Sequence, residues 1–303
     1  MQQNVVRSNH LSLKNVFYCV LLIVVCFITG YATKILRTEM LIHEIELSGM
    51  NYDAFRDFHV TEDILVMANR RVQHLLKKHQ ELKDTTYFDS IGFITFSMLA
   101  KNYNVIKYGL VDEETFLRGI TAIADKPSFN ELYGYYQSIL SEQLYFPIPE
   151  LVTKEANVSY SNSWFSLRSY GGSRRHEGTD LMASNNIRGF FPIISMTDGI
   201  VEKLGWLEKG GYRIGIRTPL GSYFYYAHLH SYAPELKVGD KVIAGQLIGF
   251  MGDSGYGSEG TIGQFDVHLH LGVYVKTSLG EMSVNPYWLL KMLEKNKIQY
   301  INE

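Results

Sequence analysis

The chain has 303 residues, 46% of them hydrophobic, a formal net charge of −2 and two cysteines. That length suits two folded units. A balance of charge this close to zero gives no basis for a nucleic-acid partner, and two cysteines cannot form a disulfide framework.

Residues 1–15 are polar and carry Arg7 and Lys14 without an acid. They are expected to stay in the cytoplasm. Val16 to Ala32 is an uncharged apolar run. It reaches the short end of the ~17–25 residues that span a bilayer as a helix. It exceeds the ~7–15-residue apolar core of a signal peptide. Basic residues before it favour an inside N-terminus. Residues 16–33 therefore read as an uncleaved, single-pass signal-anchor that places the rest of the chain outside the membrane. The alternative is a cleaved signal peptide, with Gly30-Tyr31-Ala32 as the small-residue site and a secreted product. Cys19 and Cys26 both lie in this run. Val25 before Cys26 lacks the small side chain of a lipid-attachment site.

Residues 34–147 read as a mainly α-helical extracytoplasmic domain. Leu36 to Leu47 extends the membrane segment as a helix. Thr61 is the expected N-cap of a helix from Glu62 to Leu82, whose Leu65, Val72, Leu75, Leu76 and Leu82 fall near helical spacing. Asp112 caps Glu113 to Ala124. Ser128 with Glu131 makes a capping-box pattern before Leu132. Gly92 to Tyr103 is apolar and fits either a helix or a buried strand. Five histidines scattered through residues 1–79 have no metal spacing. A domain of this kind can hold the C-terminal part of the chain away from the membrane, bind an envelope protein, or cover a cleft.

Tyr145-Phe146-Pro147-Ile148-Pro149 marks a boundary, since proline removes donors and disfavours helix before it. Beyond it glycine is frequent and short runs of Val, Ile, Tyr and Phe alternate with turns. Gly199 to Lys203, Tyr212 to Arg217 and Ser222 to Ala227 are examples. Residues 151–285 therefore read as an antiparallel all-β domain. Residues 286–303 read as a helix over Pro286 to Glu294 and a short polar tail.

The chemistry concentrates in three stretches of the last third: His176-Glu177-Gly178-Thr179-Asp180, Tyr226-Ala227-His228-Leu229-His230 and Val267-His268-Leu269-His270-Leu271. Side chains at i and i+2 of a strand share a face. His268 with His270, and His228 with His230, can each look into one site. Neutral imidazole and carboxylate suit zinc, and a catalytic zinc keeps three protein ligands and an open position. His176, Asp180 and one histidine of a His-x-His pair would supply that set. The unligated histidines would move protons. His230 is expected to be a packed or surface residue, or to line the cleft, and not to be a ligand. Asp266 is expected either to orient a histidine or to serve its turn.

These three stretches, in this order, resemble the lysostaphin-like zinc endopeptidases of peptidase family M23, which cut peptides of bacterial cell walls. Thr197-Asp198-Gly199-Ile200-Val201, Gly210-Gly211, Val238-Gly239-Asp240-Lys241-Val242, Ala244-Gly245-Gln246 and Gly252-Asp253-Ser254-Gly255 continue the resemblance over roughly residues 155–280. It implies a β-sheet peptidase domain with a groove across one sheet. It implies zinc (Zn²⁺) held by His176, Asp180 and His270. It implies His228 and His268 as the unligated catalytic pair, and Tyr170 as a support for the oxyanion. The implied function is a membrane-anchored zinc metalloendopeptidase acting on peptidoglycan. The alternative is an envelope binding or scaffold module with the same fold. Two departures stand out: the segment Gly255 to Asp266 is longer than the family's usual lead-in, and Leu271-Gly272 replaces an acidic residue after the histidine pair.

Overall fold

The computed structural model describes residues 13–153, 155–169 and 172–301. Helix α1 (Leu13–Leu47) runs unbroken for 35 residues. Its apolar first part is exposed, while Thr38, Ile42 and Ile45 near its end are buried. It is long and apolar enough to cross a membrane by length and composition. Six further helices follow: α2 (Tyr52–Arg56), α3 (Glu62–Lys78), α4 (Ser90–Ala100), α5 (Val105–Tyr108), α6 (Glu113–Ile123) and α7 (Pro127–Leu140).

The starts of these helices are set by local chemistry. The side chains of Asn51, Thr61, Asp89 and Asp112 accept from backbone N–H groups in the first turns of α2, α3, α4 and α6. Each satisfies a donor that the helix itself leaves unpaired. α7 departs from expectation. It starts at Pro127 after Lys126, with no side-chain cap. Proline has no N–H to satisfy and its φ suits the first helical position, so Ser128 lies inside the helix instead of capping it. The apolar stretch after Asp89 is a helix. Ile91 through Met98 are all buried in it, because α4 is surrounded by the other helices. Its Phe93 and Phe96 pack on Phe116 of α6, with ring centroids 4.5 and 5.7 Å apart.

The β part comprises β1 (Glu150–Leu151), β2 (Val158–Ser159), β3 (Leu167–Arg168), β4 (Arg174–Arg175), β5 (Thr179–Ala183), β6 (Pro192–Ile194), β7 (Gly199–Leu207), β8 (Gly211–Arg217), β9 (Tyr223–Tyr232), β10 (Lys241–Val242), β11 (Leu247–Met251), β12 (His268–Thr277) and β13 (Gly280–Val284). Helix α8 (Tyr287–Leu293) and β14 (Gln299–Tyr300) end the chain. Seven strands form an antiparallel path in the order β10-β7-β8-β9-β12-β5-β2. β13 adds to β12, and β11 bridges β9 and β6. One face buries Ile214, Ile216, Phe224, Tyr226, Leu269, Leu271 and Val273. Alternation puts their neighbours Tyr225, His268 and His270 on the opposite, cleft-bearing face. β14 pairs in parallel with β1, so residues 299–300 pack back on the boundary segment.

Candidate active site

The pairing of β12 with β5 sets Asp180 directly opposite His270. β12 also pairs with β9, which sets His270 opposite Ala227. His176 enters from the loop after β4. These elements bring three donor atoms together. His176 Nε2 lies 3.1 Å from Asp180 Oδ1 and 3.2 Å from His270 Nδ1, and the latter two are 2.9 Å apart. Ligands of a tetrahedral zinc, each about 2.0–2.1 Å from the ion, are about 3.3 Å from one another. The observed triangle has close to that edge. Its chemistry, two imidazoles and a carboxylate, fits the same ion. His176, Asp180 and His270 are the group able to hold a metal among the described residues.

Surrounding groups hold these donors in register. Ser163 presents its hydroxyl and carbonyl oxygens 3.0 and 3.2 Å from His176 Nδ1, leaving Nε2 for the triangle. Arg168 Nη2 donates to Asp180 Oδ2 at 2.7 Å, leaving Oδ1 toward the histidines. The same Nη2 lies 3.1 Å from His176 Nδ1. Burial opposes the charge of Asp180. Hydrogen bonds with His176 and His270, and the fields of His270 and His268, outweigh burial and hold the carboxyl well below the usual carboxylate range. Gly178 sits against the ring of His270. A Cβ there would lie 2.5 Å from Cε1 and 2.6 Å from Nε2, so the turn between two donors needs a residue without a side chain.

His228 and His268 stand beside the triangle, both buried, with ring centroids 4.7 Å apart. His268 Nδ1–H donates to the carbonyl of Asp266 at 2.7 Å, and His228 Nδ1–H to that of Ser254 at 2.8 Å. Carbonyls only accept, so each ring keeps its proton on Nδ1 and offers Nε2 to the cleft. Burial pushes the pKa of His228 well below its ordinary value, reinforced by the fields of His268 and His270. Burial also lowers that of His268, against the pull of Asp180. Both imidazoles are thus neutral near pH 7, with Nε2 turned to the cleft. Asp266 acts here through its backbone carbonyl, while its carboxylate accepts from Asn186.

The expected sharing of a face holds for His268 and His270, which both line the cleft, and fails for His228 and His230. The register between β8 and β9 shifts between Tyr212 and Ile214, and His228 takes a left-handed φ of 63°. This bulge turns His228 into the cleft. His230 is exposed, is not part of the cleft lining, and packs near Gly189. Tyr170 lies outside the described residues.

The cleft has a volume of about 390 Å³. Tyr256 and Phe265, both from the long segment before β12, wall it around His228 at 6.2 and 4.7 Å between ring centroids. Tyr225 and Tyr274 also line it, and burial raises the pKa of both, so they remain neutral hydroxyls. Sequence reasoning missed Ser163, Arg168 and Gly178. The first two are recognisable only once the loops meet. Gly178 does carry a signal in the sequence, its place between His176 and Asp180.

Residues 174–286 match the profile of peptidase family M23. A solved structure from Ruminococcus gnavus ATCC 29149, described as a candidate glycyl-glycine endopeptidase, is 38% identical with a TM-score of 0.68, and the match covers 87% of this chain and 99% of that one. The chain belongs to peptidase family M23. This M23 chain is also 40% identical over 171 residues to an L-Ala–D-Glu endopeptidase of Bacillus subtilis (strain 168), covering 56% of the chain and 50% of the relative. It is 31% identical over 117 residues to a glycyl-glycine endopeptidase of Staphylococcus capitis, covering 35% of the chain and 31% of the relative. It therefore spans half or less of the length of these curated M23 relatives.

Proposed function

We propose that the chain is a zinc-dependent endopeptidase that hydrolyses peptide bonds of bacterial peptidoglycan outside the membrane. The observation that carries this is the donor triangle of His176, Asp180 and His270 beside two neutral histidines with open Nε2 atoms. A zinc ion held by the three ligands would supply a Lewis acid for the scissile carbonyl and lower the pKa of a water from ~15.7 toward ~7. His228 and His268 do the proton work. One Nε2 takes the proton of the attacking water; the pair then delivers a proton to the leaving amine. Asp266 and Ser254 carbonyls keep both rings turned for this. The aromatic wall of Tyr256 and Phe265 excludes water from around His228.

The substrate side of this reading rests on charge. Among the described residues, Arg168, Arg174, Arg175 and Lys209 line the cleft against Glu177 and Asp180. Glu177 is engaged by Arg56 from the helical region, and Asp180 takes up Arg168, so the rest of the charged lining is basic. The chain as a whole carries −2, so the cleft inverts the overall sign. Such a lining favours a peptide bearing carboxylates near the scissile bond, as in the L-Ala–D-Glu relative, over a chain of glycines. The test is product release from purified sacculi by the full chain in detergent, with new amino termini identified. Chelator-sensitive release with new termini beside an acidic residue is expected. Stoichiometric zinc with no released product would overturn the endopeptidase. Cleavage of glycine bridges alone would overturn the substrate preference. His228→Ala should keep its zinc and lose at least about 100-fold in kcat, the scale of a general acid–base residue.

A further inference from the structure

The helical region carries a residue that reaches the neighbours of His176 from outside the cleft. All the residues lining the cleft lie between Arg168 and Tyr274, so no described residue of the helical region covers it. Contact is made instead with residues that flank His176, by Arg56.

Arg56 ends α2, and α2 is fixed in the helical core. Phe55 is fully buried, with its ring 5.5 Å from Tyr135 and 5.3 Å from Tyr136. The Arg56 side chain points the other way. Its Nε donates to the carbonyl of Ser283 at 2.9 Å, and Nη2 to the Ser283 hydroxyl at 2.7 Å and to Glu177 Oε1 at 2.8 Å. Its guanidinium carbon lies 4.5 Å from the ring centroid of Phe165 and 5.6 Å from that of Trp164. Its own carbonyl accepts from the N–H of Asn285 at 2.8 Å. Only 16% of the side chain is exposed.

Two of these partners, Glu177 and Phe165, adjoin His176. Glu177 is its chain neighbour. The N–H of Phe165 donates to the His176 carbonyl at 2.9 Å, and the N–H of His176 donates to the Ser166 carbonyl at 3.0 Å. Ser163, in the same turn, presents the oxygens that face His176 Nδ1. Phe165 holds a left-handed φ of 56°, a conformation that a bulky residue keeps only when its surroundings impose it. The planar guanidinium on its ring is part of what imposes it, and a guanidinium lays its flat face on the ring while its edge N–H groups reach the oxygens, a fit that a compact ammonium matches less well.

We infer that Arg56 is a positioning residue for the metal ligand His176, and that the helical region is a working part of the metal site. The inference rests on the proposal that His176 binds zinc. Groups that orient a metal-bound histidine typically change metal affinity by about 10–100-fold when removed. Arg56 acts one step further out, through Phe165 and Glu177, so a loss of about tenfold is expected.

The experiment uses the full chain in detergent micelles, with zinc affinity measured by competition against a chromophoric chelator and thermal melting followed in parallel. Arg56→Ala should weaken zinc about tenfold, Arg56→Lys less, and excess zinc should restore most of the lost kcat with KM little changed. Ile120→Val, a core change in α6 remote from Arg56, should lower the melting temperature and leave zinc affinity alone. Arg56→Ala binding zinc within twofold of the unchanged chain would overturn the inference and leave Arg56 a mere tie between regions. If Arg56→Ala does not fold, Arg56→Lys and Phe165→Leu decide, and unchanged affinity in both overturns it. An unchanged chain that takes up no zinc would instead sink the metal site itself, a different failure from equal binding by both forms.

Discussion

Gly178 shows how narrow the tolerances are at single residues. It stands two residues after one donor and two before another, against the ring of the third. A Cβ would also come within 2.6 Å of the Leu271 carbonyl, a backbone atom that cannot move alone. Gly178→Ala should therefore push His270 off the triangle. We expect at least a tenfold loss of zinc affinity, read by chelator competition, and a destabilisation of about 1–3 kcal/mol, read by thermal unfolding of the metal-free protein. Unchanged zinc affinity would show that His270 is not held by that turn. Much of this site is legible in the sequence alone. His268 and His270 obey the two-residue period of a strand, and His176 with Asp180 are marked by their spacing and company. By the same period His228 and His230 read as an equivalent pair and are not, because a bulge is a feature of register between strands and leaves no trace in one strand's own period. Ser163 and Arg168 act through contacts that only a closed loop creates.

The long segment between Gly255 and Asp266 is where element and site meet. It is not a slack insertion. Gly263 N–H donates to Asp253 Oδ2 at 2.9 Å, the N–H of Gly255 to the carbonyl of Thr261 at 2.9 Å, and Trp206 Nε1 to the carbonyl of Gly257 at 3.2 Å. Asp253 is buried and takes two hydrogen bonds from Arg188. So fixed, the segment carries Tyr256 and Phe265 to His228 and supplies much of the burial that keeps this histidine neutral. Phe265→Ala should let water in and raise the pKa of His228 toward its ordinary ~6.5. The proposed base works only when neutral, and its activity is lost as pH falls through its pKa. The acid limb of kcat/KM should therefore move to higher pH in the variant, while zinc content stays the same. An acid limb that does not move would assign it to another group. Helix starts are the most legible elements: Thr61 and Asp112 cap where their side chains predict. Ser128 misleads because Pro127 claims the first helical position by backbone geometry alone. The polar tail misleads because β14 owes its pairing to β1, which lies far back in the chain.

Across the whole molecule, α1 has two distinct parts, an exposed apolar stretch and a docked end. At about 1.5 Å per residue its 35 residues span roughly 52 Å, against an apolar bilayer core of about 30 Å. Val16 to Ala32 would occupy the bilayer. Leu22 is 65% and Phe27 76% exposed, so no described part of the protein covers this stretch. The remainder of the helix docks. Lys34 pairs with Asp112 at 3.2 Å and Glu114 at 2.7 Å, Arg118 Nη2 donates to the Tyr31 hydroxyl, and Ile42 and Ile45 are buried. A continuous helix thus carries the apolar segment straight into the helical core that bears Arg56. An anchor of this kind should resist alkaline carbonate extraction, and the intact mass of the membrane-bound protein should retain residues 1–32. A soluble product beginning at Thr33 would establish a cleaved signal instead. It would also leave Lys34, Ile42 and Ile45 in place, so the helical region and its hold on His176 would survive release. Zinc affinity is therefore expected to be the same, within about twofold, for the anchored protein and for a form beginning at Thr33. It should fall about tenfold for a form beginning at Leu151, which lacks Arg56. Equal affinity in all three forms would separate the peptidase from the helical region altogether.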